Sequence, residues 1–162
     1  MTQTEASEEW VLMAYRLPRM PSTPRSNVWR KLKRLGVAQL ADGLVALPAD
    51  ARTREQLEWI AEEILEHRGE VTIWLGRPAG RAGHEAIAAK MTAAVAAEYA
   101  TVTAQAAQAR ADDPVGRRRA TARLRRELHR VEARDYFSPP ERGSARRAVE
   151  ELAEVTPDSV MR

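Results

Sequence analysis

The chain has no cysteine, which excludes disulfides, thiolate-bound metals and cysteine nucleophiles. Histidine is scarce. His67, His84 and His129 lie far apart and none falls in a HExxH or HxH pattern, so no metal site is expected. No run approaches the roughly 20 apolar residues that cross a bilayer. The opening MTQTEASEE is acidic and polar, unlike a secretory signal. A cytoplasmic protein with no membrane partner is the expectation. The phosphate-binding GxxxxGK[ST] loop, the GxGxxG fingerprint and the GxSxG nucleophile elbow are also missing. Neither a catalytic residue nor a cofactor is expected.

What the sequence does have is unevenly placed positive charge. The formal net charge is +3. Residues 1–80 hold eleven Lys/Arg against eleven Asp/Glu, whereas residues 110–147 hold twelve arginines against six acids, a surplus of six. Clustered charge of this kind bears on anionic partners and says little about fold. A length of 162 residues suits one domain of ordinary size, or a compact domain with a helical extension.

Two composition regimes meet near Pro78. Before it, WVLMAYRLP (residues 10–18) is a near-continuous apolar run closed by proline, as expected of a strand covered on both faces. In STPRSNVW, Ser22 or Thr23 can cap a helix and Pro24 suits its first turn; Val28, Leu32 and Leu35 recur at helical spacing until Gly36 stops it. VAQLADGLVALPA reads as two short strands about an Asp42-Gly43 turn. Thr53 is then expected to cap a second helix with Leu57, Ile60, Ile64 and Leu65 inward and Gly69 at its end. EVTIWLGRP supplies a last strand, Val71, Ile73 and Leu75 alternating with Thr72, Trp74 and Gly76. The order strand, helix, strand, strand, helix, strand predicts an α+β fold: a ferredoxin-like βαββαβ domain over residues 8–78. An all-helical extension over residues 79–162 follows, with helices near 84–109, 115–134 and 144–155 and Asp112 or Asp113 capping before Pro114.

The run WVLMAYRLPRMPSTPRSNVWRKLKRLG, continued by LPADARTREQLEWIAEEILEHRGEVTIW and more loosely by RDYF at residues 134–137, resembles the N-terminal region of the ChrB chromate-resistance regulators. It does so most specifically between residues 15 and 74. The resemblance implies a cytoplasmic bacterial sensor that controls chromate-efflux genes, with an oxyanion (chromate) as effector and DNA as partner. Fuller family members carry a further C-terminal domain, whereas this sequence ends at Arg162. VWRKLKRLG is also similar to a segment of the PaaX-type repressors, whose later domain shares the ferredoxin-like fold of the CRISPR-associated adaptation nucleases. Those nucleases hold a divalent metal through an aspartate near the end of the first strand, since phosphodiester cleavage needs carboxylate oxygens to fix the ion. Here that stretch reads Tyr15, Arg16, Leu17, Pro18, and no carboxylate occurs between Trp10 and Gly36. Nuclease activity is therefore not expected.

Three groups of cations are candidate sites for oxyanion or DNA. Arg119, Arg123, Arg126, Arg130 and Arg134 fall along one side of a helix, with Ala120, Leu124, Leu128 and Val131 on an adjacent face that could dock on the domain. Arginine stays charged and donates bidentate hydrogen bonds to oxygen pairs, which suits phosphate or a tetrahedral oxyanion. The alternative is a solvated face balanced by Glu127, Glu132 and Asp135. Arg16, Arg19 and Arg25 surround the proline-rich turn before a helix N-terminus, a ready anion site. Arg30, Lys31, Lys33 and Arg34 form a basic outer helix face that attracts phosphates without reading bases, and Trp29 beside them is read as packing. Open sheet edges, together with a long apolar stripe of Ile87, Met91, Val95 and Val102, lead to the expectation of a homodimer. The competing functional reading is a non-catalytic interaction domain that dimerises and binds nucleic acid weakly.

Overall fold

The computed structural model describes residues 8–155; residues 1–7 of the acidic opening segment and residues 156–162 lie outside the described part. The chain divides into two compact units, Met1–Met91 and Thr92–Arg162.

In the first unit, β1 (Trp10–Arg16), α1 (Thr23–Leu35), β2 (Ala38–Ala41), β3 (Leu44–Pro48), α2 (Ala51–Glu66) and β4 (Glu70–Gly76) follow in that order. The strands form one antiparallel sheet in the order β2-β3-β1-β4. β1 is central, so Met13 faces Val45 on one side and Ile73 on the other. Positions of one parity, Val11 and Met13 of β1 with Val45 and Leu47 of β3, are fully buried. The α1 stripe, Val28 and Leu32, and the α2 stripe, Leu57, Ile60 and Ile64, are buried as well. Each such side chain withdrawn from water contributes about 1.5–3 kcal/mol. Trp10 has the opposite parity and is nonetheless buried. Its indole N–H donates to Nδ1 of His84 at 3.0 Å, the two rings meeting edge to face, at the start of α3 (Arg81–Ala109).

Several local expectations need correction. Asp50 rather than Thr53 is the N-cap of α2. The Asp50 carboxylate accepts from the Thr53 N–H at 2.7 Å while the Thr53 hydroxyl accepts from the Asp50 N–H at 3.0 Å. Thr53 therefore closes a capping box from the third helical position. Leu65, expected inward, is 58% exposed, because one residue beyond Ile64 turns 100° away from the buried stripe. Leu75 and Trp74 are more than half exposed, and Val71 and Ile73 only half-buried, because β4 is an edge strand. At the end of α2 the left-handed residue is Arg68 (φ 62°), not Gly69. Gly69 serves close approach instead, since a Cβ there would lie 2.7 Å from the Arg16 carbonyl oxygen and 2.8 Å from that of Ile64. In the β2–β3 turn only Gly43 takes positive φ (73°), which fits a type II turn better than the type I′ turn usual for Asp-Gly hairpins.

In the second unit, the remainder of α3 packs with α4 (Pro114–Ala133) and α5 (Glu141–Glu154). Asp113 caps α4, its carboxylate accepting from the Gly116 N–H at 2.6 Å. Val95, Tyr99, Val102 and Ala106 of α3 are buried in one cluster with Ala120, Leu124 and Val131 of α4 and Ala145, Val149 and Leu152 of α5. The apolar face of α4 is thus covered by its neighbouring helices. The stripe that suggests a partner chain is likewise buried within the unit from Val95 to Val102. The RDYF segment closes this unit. The buried Tyr99 hydroxyl donates to Oδ2 of Asp135 at 2.8 Å, while Oδ1 accepts the backbone N–H groups of Phe137 and Ser138 at 3.1 and 2.8 Å.

Candidate functional site

The first unit contains a cavity of about 860 Å³ where the end of β1, the start of α1 and the β2–β3 turn meet. The sequence dictates this meeting. Pro24 sits in the first turn of α1, and Ser22 is the N-cap by position yet makes no side-chain capping bond, so the N-cap side chain does not satisfy the electropositive helix start. The β2–β3 turn is pinned to β1, the Tyr15 N–H donating to the Gly43 carbonyl at 2.8 Å. A Cβ on residue 43 would stand 2.4 Å from the Tyr15 carbonyl oxygen. Only glycine lets the turn approach so closely.

Arg16, Arg19 and Arg25 all line this cavity. None makes an ion pair within 4 Å with another described residue. Three guanidinium groups that line one cavity without close ion pairs to described residues repel one another and favour an anion among them. Tyr15, Trp29, Ser22, Ser26, Gln39 and Asp42 complete the wall. Burial pushes the Tyr15 phenol above the usual tyrosine range; Arg25 pulls it down and Asp42 pushes it up. The hydroxyl is therefore protonated at neutral pH and can donate to an anion. Tyr15, Asp42 and Gln39 carry no site signal in the sequence. Nothing in local pattern shows that a turn some thirty residues on folds against the end of β1.

The late arginines divide. Arg119, Arg123, Arg126 and Arg130 are exposed on one stripe of α4. Arg119 and Arg126 have no ion pair with a described residue, Arg123 donates to the Gln105 side chain at 2.8 Å, and Arg130 pairs with Glu127 at 3.3 Å. Arg134 differs: it lies past the helix end, half-buried, and grips the Glu98 carboxylate with two donors. That contact holds its guanidinium above the ordinary arginine range. Its role is to tie α3 to the end of α4.

The basic face of α1 is mostly engaged locally. Arg30 donates to the Asn27 side chain and the Ser26 carbonyl, Lys31 pairs closely with Glu63 of α2, and the Lys33 ammonium sits 5.7 Å from the Trp29 ring centroid. Arg34 lines a separate groove of about 350 Å³ between α1 and α2, beside the exposed Trp59. Trp29 is half-buried and lines the arginine cavity. Among the described residues no group of three or more His, Cys, Asp or Glu side chains is placed to hold a metal ion, and no helix is long and apolar enough to cross a membrane.

No curated protein matches the chain. The family model described as "Protein ChrB, N-terminal" matches residues 25–113, from the first turn of α1 to the cap of α4, which leaves Arg16 and Arg19 of the cavity and the α4 stripe outside the matched span. That span is more than half of the 162 residues, and the chain belongs to the ChrB N-terminal family.

Proposed function

We propose that this chain is a cytoplasmic regulatory protein of the chromate-resistance type, which binds a tetrahedral oxyanion in the β1–α1 cavity and DNA phosphates along the α4 stripe. The single observation that carries the oxyanion reading is the gathering of Arg16, Arg19 and Arg25, without ion pairs to described residues, around one cavity at the start of α1, where the N-cap Ser22 makes no side-chain capping bond. The family supplies the regulatory context. The first unit is read as ferredoxin-like, supported by its βαββαβ order and the β2-β3-β1-β4 sheet. The protein pairs with a second copy through the exposed edge strand β4, where Trp74 and Leu75 offer apolar surface. It binds and signals, and performs no hydrolysis.

Fluorescence anisotropy of a duplex from upstream of its own coding sequence, across a salt series, tests the reading. DNA binding is expected to weaken when chromate is added. In Arg119→Gln/Arg126→Gln the slope of log affinity against log salt should fall by about one unit for each phosphate that is no longer neutralised. Binding indifferent to chromate, with the variant behaving as the parent, favours the interaction-domain reading, in which the stripe is only a solvated surface.

A further inference from the structure

One residue of the cavity does not fit a site built only for negative charge. Asp42 is the sole carboxylate among the described lining residues, and it forms no ion pair with a described residue. It cannot drift away, because the turn that carries it is fixed to β1 by the Tyr15–Gly43 hydrogen bond and by the close approach at Gly43. Its charge and that of Arg25 both act on the Tyr15 hydroxyl, so cationic and anionic groups face the same space. A fully deprotonated dianion in the cavity would gain the arginines and be repelled by the like charge of Asp42 on the same wall. An anion that keeps a proton meets no such conflict. Its unprotonated oxygens accept from the guanidinium groups and the Tyr15 hydroxyl, and its O–H donates to the Asp42 carboxylate, a charge-assisted hydrogen bond of the stronger kind.

We infer that Asp42 makes the cavity selective for oxyanions that carry a proton, phosphate-like or chromate-like species in their hydrogen forms, over those that carry none, such as sulfate. The inference rests on the oxyanion reading and adds to it the identity of the discriminating residue. Selectivity comes from differential interaction with two ligands of nearly the same size and shape, and a carboxylate that is an acceptor for one and a repulsive charge for the other supplies it.

The test is calorimetric titration of the intact chain at pH 7 with phosphate, which holds a proton throughout the neutral range, and with sulfate, which holds none, for the parent and for Asp42→Asn. Asparagine suits turns as aspartate does, so the hairpin is retained, and circular dichroism verifies this. The parent is expected to bind phosphate on the order of tenfold more tightly than sulfate, the scale of one charge-assisted hydrogen bond. Asp42→Asn should bring the two affinities together by strengthening sulfate and weakening phosphate. Equal binding of both anions by the parent, or an unchanged ratio in the variant, overturns the selectivity while leaving the oxyanion site standing. Absence of any anion binding by the parent removes both.

Discussion

At Gly43 the backbone, rather than a side chain, decides the geometry of the cavity. Positive φ and a carbonyl oxygen 2.4 Å from where a Cβ would stand both exclude a larger residue. Left-handed geometry alone costs an L-residue roughly 1–2 kcal/mol, so Gly43→Ala is expected to destabilise the protein by more than about 2 kcal/mol in urea unfolding; an unchanged midpoint would show that the turn is not pinned. Arg68 is the opposite case, a non-glycine residue at φ 62°, and Arg68→Gly is expected to add about 0.5–1 kcal/mol. Tyr99 makes stability depend on pH. Burial, first, and then the hydrogen bond to Asp135 raise its phenol above the ordinary tyrosine value of about 10. The folded chain thus holds this proton more tightly than the unfolded chain. The stabilisation is fully present below about pH 10 and is lost as pH rises through the folded value. Urea midpoints should therefore hold up to about pH 10 and drop as pH rises above it in the parent, and drop less in Tyr99→Phe, which itself loses about 1–3 kcal/mol at neutral pH by removing a donor from the buried Asp135 carboxylate. Equal alkaline loss in both proteins would assign the effect to other groups.

Among the elements, α4 shows how far one helix can separate stability from binding. Leu124 is fully buried against α3 and α5, and Leu124→Ala is expected to cost about 2–5 kcal/mol. Arg119 and Arg126, on the exposed stripe, are expected to change stability by no more than about 0.5 kcal/mol when both become glutamine. Chemical denaturation of the two variants checks the contrast, and similar destabilisation in both would mean that the stripe is part of the packing. The elements themselves are legible in the sequence because their signals are local: apolar periodicity in α1, α2 and α3, proline within the first turns of α1 and α4, and Asp42-Gly43 between β2 and β3. Boundaries are less so. Thr53 looks like a cap of α2 on its own, whereas the reciprocal bond with Asp50 emerges only once both residues are placed. The apolar face of α4 is visible as a face, but its neighbours are not, since a helical stripe records that something covers it and not what.

At the scale of the whole molecule, the arginines of the candidate site can be named from sequence but not ranked. Arg16, Arg19 and Arg25 lie around a proline-rich turn, and proximity in sequence makes the group visible; Tyr15 and Asp42 join them only through the sheet. Arg134 shares a helical phase with Arg119, Arg123, Arg126 and Arg130, yet its partner Glu98 lies 36 residues away on α3. For the assembly, light scattering at micromolar concentration is expected to give twice the chain mass of 18.1 kDa, and a mass of one chain would remove the proposed pairing through β4. The central claim is that the β1–α1 cavity binds a tetrahedral oxyanion through its arginines. Its most direct test is a calorimetric titration of the intact chain with chromate, repeated on Arg16→Gln/Arg25→Gln. The parent should show saturable one-site binding, and the variant should bind at least about tenfold more weakly with its thermal midpoint unchanged; no binding by the parent, or equal binding by both, would contradict the claim.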